Sequence, residues 1–128
     1  MASKFSTKIL LIEDYEDFRK IVKEYLKSQD DSFEIFEASS GELGIVAALR
    51  EKPDIILMDI RLPNINGIDA AGRIRQYLPH CKIIVLTMFE GETFREVFKS
   101  VDINGYLGKS ELYEKLMPLI HKCLKADK

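Results

Sequence analysis

Ile55-Ile56-Leu57-Met58-Asp59 is a run of four apolar residues closed by one carboxylate. An unbroken apolar run of this length suits a strand buried on both faces, as in a parallel sheet covered by helices. A half-solvated strand would alternate apolar with polar. Working outward, the pattern recurs at Ile9-Leu10-Leu11-Ile12, at Ile83-Ile84-Val85-Leu86 and, shortened, at Tyr106-Leu107. Phe33–Ala38, where Phe33 and Ile35 alternate with Glu34 before Phe36, is the remaining candidate strand.

Helical periodicity fills the intervals. Phe18, Ile21, Val22, Tyr25 and Leu26 fall on one side of a helix and predict a buried stripe. Leu43, Val46 and Leu49 predict another, preceded by Ser39 and Glu42 at capping-box spacing and closed by Pro53. Ile68, Ala71, Ile74 and Leu78 form a third stripe that ends at Pro79. Phe94, Val97, Phe98 and Val101 form a fourth that ends near Asn104-Gly105, and Leu112, Leu116, Leu119, Ile120 and Cys123 form the last. Pro118 lies inside this last helix, where a missing N–H predicts a bend. Strand and helix thus alternate five times without a linker or repeat, which implies βαβ units and a sheet between helical layers. The expectation is a single α/β domain over residues 1–128, with its core from about 8 to 125, built as a (βα)5 doubly wound fold around a five-stranded parallel sheet.

The chain has 128 residues, enough for one domain with a substantial core, and its 46% hydrophobic and 31% charged content is that of a globular protein. A formal charge of −2 argues against direct nucleic-acid binding, which favours a basic excess. The apolar runs are too short to span a membrane, and the N-terminus lacks a secretory pattern, so a cytoplasmic location is expected. Cys81 and Cys123 make no disulfide framework. His80 with Cys81 and His121 with Cys123 could suggest zinc, but adjacent residues in an extended segment diverge, as do residues two apart on a helix. Two core cysteines and two surface histidines are the expected reading.

The polar residues at the ends of the apolar runs are more informative. Glu13-Asp14 come after the first, Asp59 ends the central one, Thr87 ends the next, and Gly108-Lys109 come after Tyr106-Leu107. In an open parallel α/β sheet, ligands bind beyond the carboxyl ends of the strands, and all five polar side chains are expected at that edge. Singly, each has a plain structural explanation: a helix-cap region, a turn, a strand end, a solvated lysine. Together they form three carboxylates that repel unless cations balance them. Lys109 supplies one positive charge, and a few hard oxygen ligands with room for water and phosphate suit Mg²⁺. A carboxylate so placed can attack phosphorus to form an acyl phosphate.

At Ile-Leu-Leu-Ile-Glu-Asp (9–14), Asp-Ile-Arg-Leu-Pro-Asn-Ile-Asn-Gly (59–67), Val-Leu-Thr-Met (85–88) and Gly-Tyr-Leu-Gly-Lys (105–109), the chain resembles the CheY-like receiver domain of two-component response regulators. The likeness covers nearly the whole chain, and the motifs together are far more specific than the Asp-x-x-x-Pro-x-x-x-Gly segment alone. It implies a strand order of 2-1-3-4-5 and a phosphorelay switch rather than a turnover enzyme. By the same resemblance Asp59 is the phosphoacceptor, and Glu13, Asp14, Asp59 and the main-chain oxygen of Arg61 hold Mg²⁺. Lys109 is then the ion-pair partner, Thr87 the switch hydroxyl, and Tyr106 the ring that moves with it.

The implied partners are a sensor histidine kinase and an output element. The wording around Thr87 and Lys109 is closest to receivers fused to a LuxR-type helix-turn-helix DNA-binding domain, with transcription regulation as output and a phosphorylation-dependent homodimer as an associated expectation. Ser110 stands where the family often has proline, which puts the usual cis peptide in doubt and makes Ser110 a candidate cap of the last helix. The rival readings are an aspartyl-phosphate phosphatase, an FMN carrier and a degenerate receiver acting as a phosphorylation-independent interaction module. Arg61 opposes the first, since that class needs an aspartate two residues after the nucleophile. The lack of a Ser/Thr/Gly-rich loop after the first strand opposes the second, and the intact acidic set opposes the third.

Overall fold

The computed structural model describes residues 6–62, 65–88, 99 and 101–125. Five strands, β1 (Lys8–Ile12), β2 (Glu34–Ala38), β3 (Ile55–Asp59), β4 (Lys82–Thr87) and β5 (Gly105–Gly108), pair in parallel in the order β2-β1-β3-β4-β5. Helices α1 (Glu16–Gln29), α2 (Gly41–Glu51) and α3 (Gly67–Tyr77) follow β1, β2 and β3, and a C-terminal helix (Leu112–Lys125) follows β5 through a short 3₁₀ turn at Lys109–Glu111. Three of the fourth stripe's residues (Phe94, Val97 and Phe98) and Pro63 lie outside the described residues.

The two-residue period of the strands sorts the core into two layers. Ile9, Leu11, Ile55, Leu57, Ile84, Leu86 and Leu107 meet α1 and the C-terminal helix through Val22, Leu26, Leu112, Leu116, Ile120 and Cys123. Leu10, Ile12, Ile56, Met58 and Ile83 meet α2 and α3 through Ala47, Ala48, Ala70, Ala71 and Ile74. The continuous apolar runs read from the sequence are therefore strands covered on both sides, in the expected doubly wound order.

Three local expectations are corrected. Leu43, Val46 and Leu49 are exposed, and α2 instead buries Gly41, Gly44, Ala47 and Ala48. Close approach decides this, because a Cβ on Gly44 would lie 2.5 Å from the Ile12 side chain and one on Gly41 2.9 Å from the Ile65 carbonyl. A face of small residues lets the helix settle onto the sheet, and the larger side chains turn outward. The cap of α2 is Ser40, whose hydroxyl accepts from the Leu43 N–H, rather than Ser39 with Glu42. Ile21 is exposed, so the buried stripe of α1 is narrower than its periodicity suggested.

The C-terminal helix continues through Pro118, which is exposed on its outer side. Lys52 ends α2 in the left-handed region at φ 50°, just before Pro53. Asn104, expected only as a helix terminator, extends the β4–β5 pairing. Its N–H donates to the Ile83 carbonyl, and its side-chain oxygen accepts from the Ile83 N–H and from Arg75 Nη2. No peptide bond is cis among the described residues, in keeping with Ser110 in place of proline.

Gly67 opens α3 where the chain closes back on the end of β3. Its N–H donates to the Ile60 carbonyl at 2.8 Å, and a Cβ there would lie 2.5 Å from the Asp59 carbonyl oxygen. Gly72, in the middle of the same helix, has nothing within 4 Å of such a Cβ. Gly67→Ala should therefore destabilise the fold by about 1–3 kcal/mol, and Gly72→Ala should stabilise it by roughly 0.5–1 kcal/mol. Urea unfolding of both variants checks this, and equal shifts of the same sign would contradict the close-approach role of Gly67.

Candidate acidic phosphoryl-transfer site

The strand order reverses between β1 and β3, and a crevice opens where adjacent connections leave on opposite faces. Register carries the polar residues to that point. Ile12 pairs with Met58, so Glu13 and Asp59 follow side by side, while Thr87 pairs with Gly108, immediately before Lys109. The two-residue period also places them by face. Glu13, Asp59 and Lys109 each come two residues after a leucine of the α1 layer, Leu11, Leu57 and Leu107. Thr87 follows Val85, which packs in the opposite layer, and Tyr106 pairs with Val85.

Glu13, Asp59 and Thr87 are buried, whereas Asp14 is exposed. Lys109 Nζ lies 2.8 Å from Glu13 Oε1 and donates to Asp59 Oδ2 at 3.2 Å. The same ammonium sits over the Phe18 ring, 4.5 Å from its centroid. Asp59 Oδ1 accepts from the Arg61 N–H at 3.1 Å. Glu13 is held at both ends: its N–H donates to the Ala38 carbonyl, and its own carbonyl accepts from Arg19 Nη1 at 2.8 Å. Glu13 Oε2 accepts from the Tyr15 N–H, at the turn into α1. That contact is the structural part of the helix-start explanation, and it leaves Oε1 to the pocket.

The electrostatics are unbalanced. Burial raises the Glu13 carboxyl to about 7, and Asp59 adds repulsion, against the pull of Lys109 and the Tyr15 N–H. Burial would lower Lys109, but Glu13 and Asp59 more than reverse this and hold its ammonium above the ordinary lysine value. Burial thus dominates at Glu13, whereas the two neighbouring carboxylates dominate at Lys109.

The residues present fit a small hard cation. One ligand oxygen each from Glu13, Asp14 and Asp59 lies within 4.8 Å of the others. Glu13 Oε1 is buried, and although Lys109 is at ion-pair distance, it has no well-directed hydrogen-bond donor among the described residues. An all-oxygen donor set suits Mg²⁺ rather than zinc.

The structure thus brings together Glu13, Asp14, Asp59 and Lys109. It puts Thr87 at the same strand edge, and Arg61, two residues after Asp59, is exposed. Tyr106 is partly exposed on the last strand of the sheet. Phe18 and Arg19 were not identified from sequence as part of the site. Phe18 belongs to an apolar stripe like any core residue, and only the arrival of α1 against Lys109 distinguishes it. Cys81 and Cys123 are buried, as expected of core cysteines, and burial pushes the Cys81 thiol up to about 12.

Residues 9–121 match the response regulator receiver domain family. The response regulator protein VraR of Staphylococcus aureus is 30% identical over 122 residues, which cover 94% of this chain and 57% of VraR. The chain therefore spans little more than half the length of that relative. A two-component response regulator of the LuxR family from Aurantimonas sp. SI85-9A1 superposes with a TM-score of 0.84 at 24% identity, over 94% of this chain and 86% of that one. The Vibrio cholerae chemotaxis protein CheY4 superposes with a TM-score of 0.77 at 23% identity, over 94% and 98%. The last two likenesses concern the fold, and the family match covers most of the sequence. The chain belongs to the response regulator receiver family, the signalling switches of two-component systems, and has their CheY-like fold.

Proposed function

We propose that Asp59 is the phosphoryl acceptor of this receiver, and that Glu13, Asp14, Asp59 and the main-chain oxygen of Arg61 hold Mg²⁺ beside it. The observation that carries the reading is the buried Asp59 carboxylate, 3.2 Å from Lys109 Nζ and clustered with two further acidic side chains. In the transfer, one Asp59 oxygen forms a bond to phosphorus while the bond from phosphorus to the donor breaks. With a kinase phosphohistidine as donor, the imidazole nitrogen leaves with the electron pair and takes up a proton. When bound, Mg²⁺ neutralises charge on the carboxylates and phosphoryl oxygens. Lys109 stays protonated and moves from Asp59 toward a phosphoryl oxygen.

The new group adds about −1.5 to −2 charge at neutral pH, and Thr87 offers a hydroxyl at the same edge. Inward movement of Thr87 frees space on the face it shares with Tyr106, whose ring follows. Phosphate biases this equilibrium only through its different affinity for the two arrangements. The donor is a sensor histidine kinase. The output is a C-terminal helix-turn-helix DNA-binding domain outside this chain, a reading supported by the LuxR-family neighbours and by the fraction of VraR that the chain spans. The formal charge of −2 agrees with a receiver that does not itself bind nucleic acid, and no described helix is long and apolar enough to cross a membrane.

Incubation with acetyl phosphate and Mg²⁺ should add one labile phosphoryl group by intact mass. Asp59→Asn should lose it, and an Asp59→Asn variant labelled as well as the wild type would refute the assignment.

Mg²⁺ affinity should also depend on pH. In the metal-free pocket Glu13 binds a proton below about 7, and the cation must displace it. Apparent affinity should fall as pH is lowered from 8 to 6, by about tenfold at the lower end, because metal and proton compete for one carboxylate. Asp14→Ala should weaken binding at every pH. Calorimetric titration checks both, and an affinity independent of pH in this range would contradict Glu13 as a ligand.

A further inference from the structure

The outward face of α2 is unusual for a solvated helix. Leu43 and Val46 are each 55% exposed and Leu49 is 39% exposed, forming one apolar stripe flanked by Glu42 in the first turn and Arg50 in the last. Val46 lies midway in sequence between the buried Gly44 and Ala48, so at 3.6 residues per turn it is on the other side of the helix from them, where Leu43, Val46 and Arg50 line one wall of an open groove whose other wall carries Arg19 and Glu37. Packing of α2 on the sheet therefore uses its small residues rather than the stripe, and Glu13, Asp59 and Lys109 do not line the groove beside it.

Its sequence is symmetric about Val46. Leu43 and Leu49 lie three residues to either side, and Glu42 and Arg50 four residues to either side with opposite charge. A second α2 laid antiparallel across the first, with a two-fold axis at Val46, brings Leu43 level with Leu49 of the second copy. It also brings Glu42 level with Arg50 of the second copy, at both ends. An isologous contact requires this self-complementarity, because every pairing occurs twice. Arg50 Nε donates to Glu51 of its own helix at 2.9 Å, and the guanidinium carries further N–H donors for a carboxylate opposite. A parallel alignment would instead place like charges together at each end.

We propose that α2 is a self-association surface whose occupant is α2 of a second copy of this chain, centred on Val46 and closed by reciprocal Glu42–Arg50 pairs. The contact is small, a helix of eleven residues on its equal, and belongs to the weak, reversible class of interfaces. It does not depend on Asp59 being phosphorylated, so its test is separate from that of the proposed function.

The test is sedimentation of the full chain from micromolar to millimolar concentration, without phosphate donor. The wild type should pass from one chain's mass toward twice that mass. Glu42→Arg and Arg50→Glu should each weaken association about tenfold, since each creates two like-charge contacts. The double reversal Glu42→Arg with Arg50→Glu should restore it to near the wild-type value, and Val46→Lys should abolish it. All three positions are exposed, and thermal melts followed by circular dichroism verify folding. As a second readout, Val46→Cys places a thiol on the symmetry axis and should give disulfide-linked dimers under mild oxidation, faster than Leu43→Cys. A monomeric wild type at millimolar concentration would overturn the proposal, leaving the stripe to a different partner. So would a dimer indifferent to Val46→Lys, a double reversal as weak as the single ones, or no cross-linking through Val46→Cys.

Discussion

The pocket at the carboxyl edge of the sheet depends on one lysine neutralising more carboxylate than it can. Lys109 Nζ lies within ion-pair distance of both Glu13 and Asp59, and both carboxylates are buried. Burying charge is costly unless it is paired, and one ammonium shared between two carboxylates leaves an excess of negative charge. The two carboxylates raise the Lys109 ammonium, while burial, with repulsion from Asp59 added, raises the Glu13 carboxyl. The pocket therefore reaches balance only with a proton or a cation added. A group that brings its own charge to Asp59 changes the balance that Lys109 maintains, and this is the physical basis for reading the site as a switch.

The remaining structure keeps that imbalance in place. Arg19 fixes the Glu13 backbone, the Tyr15 N–H holds one Glu13 oxygen, and the Arg61 N–H holds one Asp59 oxygen. Each of the last two contacts uses one oxygen of a carboxylate and leaves the other facing the centre. Gly67 lets the β3–α3 connection close against Asp59 itself, and Gly41 sets the start of α2 against Ile65 in that connection. Thr87 and Tyr106 share the strand face of Val85, and Thr87 pairs with Gly108, immediately before Lys109, so the proposed readout begins at the same edge as the charge.

Fold class was legible because strand burial is written directly in composition. Ile55–Met58 and its counterparts have no polar residue to spare for solvent, and only a sheet covered on both faces accommodates them. The site was legible for a related reason. Glu13, Asp59 and Lys109 interrupt or end apolar runs, and a charge in that position is conspicuous when the expected residue is aliphatic. Helix faces were less legible. Apolar periodicity in α2 pointed to Leu43, Val46 and Leu49, but the helix buries its small residues because Ile12 and Ile65 stand too close for larger ones. Size complementarity is a property of two surfaces, and a single helical sequence states only one of them. The same limit hid Phe18, whose role comes from what approaches it.

The sequence by itself determined the strands, their parallel arrangement and the residues at their carboxyl ends, since these arise from local apolar runs and the two-residue period of a strand. Only the tertiary structure decided how the charges share partners: that Lys109 divides its ammonium between Glu13 and Asp59, that one Glu13 oxygen stays without a well-directed donor among the described residues, and that the apolar stripe of α2 faces outward. These are relations between residues far apart in the chain, fixed by register and packing distance, and no local pattern contains them.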